Sequence, residues 1–269
     1  MQMKRKVAVV TGASGGIGAA LARELGARGY GVVLAARRQA ELEQVARESG
    51  DDALAVPTDA TRRADVDALR DKALAHFGRV DVWVNNAGRG ITRPVLELTD
   101  EDLDEMISVN VRSALYGMQA IVPHFIERGA GHLINVSSFL GRVPIATHRS
   151  AYNAAKAALN ALTANLRVDL ARTSPGVHVS LVMPGLVATE FARNAVGTPI
   201  PSHPTSAAMG VQTPEEVAAA VVALIEHPKA EIFTNPASVD IARRYYEDIA
   251  AFEAAGGPPR GRKTQQNAS

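Results

Sequence analysis

The run Val7-Ala8-Val9-Val10-Thr11-Gly12-Ala13-Ser14-Gly15-Gly16-Ile17-Gly18 decides the fold. Four apolar residues read as a strand, and the glycines then turn the chain into a helical pattern over Gly16–Arg28. Four glycines within seven residues let the backbone bend sharply and bring its N–H groups close to a ligand. A strand that feeds a helix through such a turn offers the helix N-terminus to a phosphate or pyrophosphate. The spacing is GxxxGxG rather than GxGxxG, so the turn points to a dinucleotide without naming a reaction.

The same alternation continues along the chain. Gly31–Ala36, Ala53–Val56, Val80–Asn85, His132–Ser137 and Val177–Met183 read as strands; Gln39–Glu48, Arg62–Phe77, Asp100–Arg128 and Ser150–Thr173 read as helices. Strands apolar on both faces and separated by helices imply an α/β fold, a doubly wound parallel sheet in a single Rossmann-like domain with helices on both faces. Ligands of such sheets lie at the carboxyl ends of the strands. No linker or repeat divides the chain, so residues 1–255 are expected to form one catalytic domain and the polar residues 256–269 a disordered tail. Residues 194–213 carry Gly197, Pro199, Pro201, Pro204 and Gly210 and are expected to form a lid over the site.

The 269 residues carry a net charge of +1, which gives no field for nucleic acid or an anionic membrane. The absence of cysteine excludes disulfides, thiolate catalysis and cysteine-based zinc sites. Met1–Lys6 is basic, but the apolar run Val7–Val10 is too short for a signal-peptide core. A cytoplasmic protein without nucleic-acid or membrane partners is expected. The seven histidines show no metal-ligand spacing, and no metal is expected.

At the end of the second strand stand Arg37 and Arg38, and the first acid after it is Glu41. A site for NAD places a carboxylate there for the ribose 2′-hydroxyl, whereas guanidinium groups suit a 2′-phosphate. With Ser14 adding a hydroxyl, the cofactor is expected to be NADP(H). Tyr152 and Lys156 lie four apart in a helix and share one face. A free phenol titrates at about 10, and a neighbouring ammonium lowers that value. Such a tyrosine can protonate a developing alkoxide or deprotonate an alcohol. Ser137-Ser138 offers hydroxyls at the carboxyl edge of the sheet for a substrate oxygen.

These motifs, in their order, resemble the short-chain dehydrogenase/reductase family in its compact single-domain branch. The resemblance covers about residues 5–235 and rests on Thr11-Gly12-xxx-Gly16-x-Gly18, Asn85-Asn86-Ala87-Gly88, Asn110, Ser138, Tyr152-xxx-Lys156 and Pro184-Gly185. It implies that Tyr152 is the acid/base, that Ser138 orients the carbonyl, and that Lys156 holds the nicotinamide ribose and lowers the tyrosine pKa. Asn110 would anchor a water in a proton relay. Gly12, Ser14, Gly16, Ile17 and Gly18 would receive the pyrophosphate end, Asp59 would lie by the adenine, and Asn86, with Ala87 and Gly88, by its ribose. Pro184, Gly185, Val187 and Thr189 would meet the nicotinamide. The implied reaction is hydride transfer between NADP(H) and a ketone, aldehyde or secondary alcohol, in a homodimer or homotetramer. A catalytically inactive dinucleotide-binding regulator or scaffold is the alternative.

Ser138 precedes Tyr152 by 14 residues, one more than is common in that family. The extra residue lengthens the loop of Pro144, His148 and Arg149, in which His148 and Arg149 read as solvent-exposed, with the pocket as the alternative. Phe139, Leu140, Leu186 and Phe191 suggest a moderately hydrophobic substrate. Ser238–Ala254 reads as an amphipathic helix packed on the domain or on a partner subunit.

Overall fold

The computed structural model describes residues 5–191, 194–197 and 210–255. The first half of the chain alternates β1 (Val7–Thr11), α1 (Gly16–Ala27), β2 (Gly31–Ala36), α2 (Gln39–Glu48), β3 (Ala53–Pro57), α3 (Arg63–Phe77) and β4 (Val82–Asn85). A short β5 (Ile91–Thr92), α4 (Asp100–Ile107), α5 (Ser113–Arg128), β6 (Gly131–Val136), α6 (Ser150–Thr173) and β7 (Val177–Met183) follow. The last part holds three two-residue strands, β8 (Leu186–Val187), β9 (Val196–Gly197) and β10 (Val211–Gln212). It ends with α7 (Pro214–Glu226), β11 (Glu231–Phe233), α8 (Ala237–Glu247) and α9 (Ile249–Ala254).

Seven strands form one parallel sheet in the order β11-β7-β6-β4-β1-β2-β3. β1 and β2 are buried along their whole length, as strands are when helices cover both faces. Ala8 and Val10 face one core, with Leu21 and Leu25 of α1, Leu42 of α2 and Val221 of α7. Val7 and Val9 face the other, with Leu69 of α3, Phe125 of α5 and Leu159 of α6. The connections run one way from β1 to β2 and β3 and the other way from β4 to β6, β7 and β11. The crevice that receives ligands in such sheets therefore opens between the carboxyl ends of β1 and β4.

Four elements depart from the sequence reading. The predicted helix Asp100–Arg128 is broken by a π-helical turn, Ser108–Arg112. The Asn110 amide donates back to the Met106 carbonyl (3.1 Å), and the Ser113 N–H bonds Ser108 O, five residues back. The predicted helix over Ser238–Ala254 is two helices, α8 and α9. The chain is extended at Asp248, whose carboxylate caps α9 by accepting the Ala251 N–H (2.9 Å). Helix α7 and the seventh strand β11 have no counterpart in the reading. The signal for α7 is Thr213-Pro214-Glu215-Glu216, a capping box with proline in the first turn.

Strands β9 and β10 fall inside the predicted lid, residues 194–213. Val196 N donates to Gly90 O and Ala188 N to Gln212 O, each at 2.9 Å, so both ends are pinned beside the sheet edge. Residues 198–209 between them lie outside the described residues, as does the predicted tail, residues 256–269. The C-terminal helices bury Ile241, Ala242, Tyr245 and Phe252 against Phe139 and Val143, on the domain itself. Among the described residues no helix is long and apolar enough to cross a membrane.

A buried polar pair in the sheet sets an acid sensitivity. His132 Nε2 meets Ser180 Oγ at 2.8 Å, and that hydroxyl donates to Lys229 O (2.6 Å). The Nδ1 atom has no partner among the described residues. Protonation would bury a charge there, so burial, and secondarily His178, push the imidazole down to about 4. The folded value lies below that of the unfolded chain, so the unfolded chain binds the extra proton between the two. Stability is then complete above about pH 6.5 and is lost as pH falls through that window. We expect His132 to cost about 2 kcal/mol of unfolding free energy between pH 7 and pH 5. Urea midpoints at the two pH values check this, since His132→Gln should lose that part of the slope.

Candidate active site

The glycine turn is built by close approach. Gly12 and Gly16 take positive φ (68° and 53°). A Cβ on Gly12 would lie 2.9 Å from Ala87 Cα, and one on Gly18 would run into the Gly12 carbonyl. Gly18 therefore seats α1 against the turn and does not line the crevice, whereas Gly12, Ser14, Gly16 and Ile17 do. Gly15, the N-cap of α1, supplies no side-chain cap, leaving the first N–H groups of the helix for an anion. The loop after β4 is locked to this turn. Thr11 Oγ1 accepts Asn86 N (3.0 Å) and Ala87 N (3.1 Å), and the Asn86 amide donates to Thr11 O (3.0 Å) and Gly12 O (3.3 Å).

Arg37 and Arg38 leave β2 at one end of the crevice. Arg38 lies along the turn, with Nε on Ser14 Oγ (3.3 Å) and Nη2 on Ser14 O (3.2 Å). Its charge is shared between Glu41 (3.4 Å) and Glu190 (3.9 Å), both exposed. Asp59, past β3, accepts Thr61 N (3.0 Å) and Thr61 Oγ1 (2.7 Å). Burial works to raise its pKa, but the Thr61 bonds and the Arg37 and Arg62 charges hold it below the usual aspartate value.

At the other end, Ser138 follows β6 and Tyr152 and Lys156 stand on α6. Gly141 lets the turn after Ser138 press on α6, since a Cβ there would lie 2.9 Å from the Lys156 backbone. The two serines separate by partner. Ser137 Oγ donates to Asn160 Oδ1 (2.5 Å) on α6, while Ser138 Oγ accepts Leu140 N (3.2 Å) and keeps its proton for another acceptor. Tyr152 is buried, and the Phe191 ring meets its ring edge-on at 5.5 Å between centroids. Burial pushes the phenol up to about 12, against the pull of the Ser138 hydroxyl and the Arg149 charge. Lys156 Nζ donates to Val136 O (2.9 Å) and lies 5.7 Å from the Tyr152 ring centroid. Burial pushes this ammonium down to about 7. In this arrangement burial, not the lysine, sets the direction of the phenol's shift.

Asn110 stands behind the crevice wall. Its amide donates to Arg89 O (2.9 Å), and its Oδ1 accepts Arg89 N (3.2 Å), so it buttresses the loop after Gly88. Past β7, Phe139 N donates to Pro184 O (2.8 Å), which ties Pro184-Gly185 to the serine turn. Thr189, bonded to Val187 O (2.9 Å), reaches Gly16, where a Cβ would lie 3.1 Å from Thr189 Cγ2. Between these walls runs one crevice of about 1090 Å³, from Arg37, Arg38 and Asp59 past the glycine turn to Ser138, Tyr152 and Lys156.

This arrangement has known counterparts. The family model for short chain dehydrogenases matches residues 6–198. The chain belongs to that family. As a short-chain dehydrogenase it is 38% identical over 188 residues to an uncharacterised oxidoreductase of Staphylococcus epidermidis, covering 70% of this chain and 80% of the relative. Among solved structures it resembles a short chain dehydrogenase/reductase of Burkholderia phymatum in complex with NAD (TM-score 0.83, 29% identity, 93% of this chain and 96% of that one). It also resembles a serine dehydrogenase complexed with NADP+ (TM-score 0.77, 30% identity, 86% and 95%). The dehydrogenase thus shares its seven-stranded sheet with proteins that bind nicotinamide dinucleotides.

Its crevice fits such a cofactor. Backbone N–H groups stand at the middle, cations at one end and a proton-bearing side chain at the other. Ala87, Gly88, Pro184, Gly185, Val187 and Thr189 all line it. Among the described residues no cluster of three or more His, Cys, Asp or Glu side chains could hold a metal. The exposed reading of His148 and Arg149 is corrected: both line the crevice and are half-buried. The backbone folds them inward, since Arg93 N donates to His148 O (2.7 Å) and Ser150 Oγ to Arg93 O (2.6 Å). The signal for Arg149 was its place three residues before Tyr152, one helical turn away on the same face.

Proposed function

We propose that the protein moves hydride between NADP(H) and a carbonyl or secondary alcohol, with Tyr152 as the acid/base. The observation that carries the reading is the single crevice joining Arg37 and Arg38 to Tyr152, Ser138 and Lys156. When bound, NADPH supplies the hydride. Arg37, Arg38 and Ser14 take the 2′-phosphate, and the uncapped N-terminus of α1 takes the pyrophosphate. Lys156 keeps donors for the nicotinamide ribose beyond the one given to Val136 O. At the reacting carbonyl, Ser138 donates a hydrogen bond to the oxygen and Tyr152 gives that oxygen its phenolic proton, which solvent later restores.

A phenol pushed up to about 12 is fully protonated at neutral pH, which favours reduction. Oxidation needs the phenolate, whose fraction grows with each pH unit below that value. Above the Lys156 titration we therefore expect kcat/KM for carbonyl reduction to stay level from pH 8 to 10, and kcat/KM for alcohol oxidation to rise throughout that range. Equal pH profiles in the two directions would count against Tyr152. The function itself is tested by a panel of ketones, aldehydes and secondary alcohols with each nicotinamide cofactor. NADPH consumption with at least one carbonyl is expected; no consumption with either cofactor overturns the reading.

A further inference from the structure

The reacting end of the crevice is lined by Leu140, Ile145, Leu186 and Phe191, and the Arg149 guanidinium there has no carboxylate counter-ion among the described residues. Arg149 is half-buried, and no carboxylate lies within ion-pair distance of it among the described residues. The acids of the same crevice are engaged elsewhere. Glu190 faces Arg38 (3.9 Å), and Asp59 stands at the far end with Thr61. Its neighbour Arg89 is neutralised by Glu105 and also donates to Asn194 O (3.0 Å). Of the five donors of Arg149, one is used among the described residues, Nη1 on Ile91 O (3.2 Å).

The backbone of Arg149 is held in place, and Nη1 is tied to Ile91 O. Arg149 N donates to Ala146 O and Asn153 N to Arg149 O, both at 2.8 Å. A Cβ on Gly90 would lie 2.9 Å from both Arg149 Nη1 and Phe191 Cε1, so the glycine leaves room for cation and ring together. A guanidinium stays charged in proteins, and half-burying that charge unpaired costs free energy unless a ligand supplies the anion. One planar cation in an apolar wall matches one carboxylate, with two parallel hydrogen bonds; a dianionic phosphate would call for more than one. The residue precedes Tyr152 by one helical turn, so cation and phenol share a face and one small molecule can meet both.

We propose that Arg149 selects the substrate, and that the substrate is an oxo acid, or the corresponding hydroxy acid, with its carboxylate on Arg149 and its carbonyl oxygen at Tyr152. This rests on the reductase reading above and narrows it. The test pairs 2-, 3- and 4-oxo acids with their methyl esters, using NADPH. For the best chain length, kcat/KM for the acid should exceed that for the ester by about 10- to 100-fold. Arg149→Met should bring that ratio to about one, and Arg149→Lys should keep part of it. In parallel, saturation-transfer NMR should show benzoate binding to the wild type and not to Arg149→Met, with circular dichroism checking the fold of both variants. An acid-to-ester ratio near one in the wild type, or one unchanged in Arg149→Met, overturns the proposal, as does preference for a phosphonate-bearing ketone. Turnover of no carbonyl compound at all would defeat the reductase reading instead, and benzoate binding would then decide Arg149 by itself.

Discussion

Replacing Tyr152 with Phe should lower kcat/KM for carbonyl reduction by roughly 1,000-fold or more and leave NADPH affinity within about threefold of the wild type. The substitution removes one oxygen from a buried ring. The ring packs edge-on to Phe191 and among Ile91, Met106 and Val111, and Phe preserves all of this. The proton source is what disappears. Ser138 remains at the crevice, but an aliphatic hydroxyl is too weak an acid to protonate an alkoxide efficiently, and Lys156 is turned toward Val136 O. Cofactor affinity, read by quenching or energy transfer to bound NADPH, separates lost chemistry from lost binding. Near wild-type turnover in Tyr152→Phe would remove the tyrosine from the mechanism.

The second large effect concerns cofactor choice. The wild type should bind NADPH more tightly than NADH, and Arg37→Ala with Arg38→Ala should weaken NADPH by roughly 100-fold while changing NADH by only a few-fold. Two charge-assisted contacts in a buried site would give more. Both arginines are exposed, however, and Arg38 already shares its charge with Glu41 and Glu190, so screening reduces the gain. The same argument predicts that added salt weakens NADPH more than NADH. NADH affinity is the control for the turn itself, because Arg38 also holds Ser14 O and its loss could loosen the loop. Equal or tighter binding of NADH by the wild type would contradict the NADP assignment.

The sheet was readable because its information is local. Buried strands such as β1 and β2 are runs of Val, Leu and Ala bounded by glycine and charge, and the glycine turn announces the first crossover. Helix α7 carried an equally local signal in its capping box and went unread, and β11, three residues long and only partly buried, carried almost none. Other features depend on partners far along the chain. Whether Asn110 faces the crevice or buttresses Arg89 is set by a loop 21 residues away. The inward turn of Arg149 depends on Ile91 and Arg93, more than 50 residues earlier, which no spacing within the loop encodes. The four-residue spacing placed Tyr152 and Lys156 on one face, but their ionisation is decided by how completely the surrounding core excludes water.

The most direct test of the central claim follows the hydrogen itself. NADPH carrying deuterium at both C4 positions should be mixed with the best carbonyl substrate and the alcohol product analysed by mass spectrometry. The account predicts one deuterium on the carbinol carbon for each NADPH oxidised, in the wild type and not measurably in Tyr152→Phe. NADPH oxidation that leaves no deuterium on that carbon, or equal transfer by the two proteins, would contradict it.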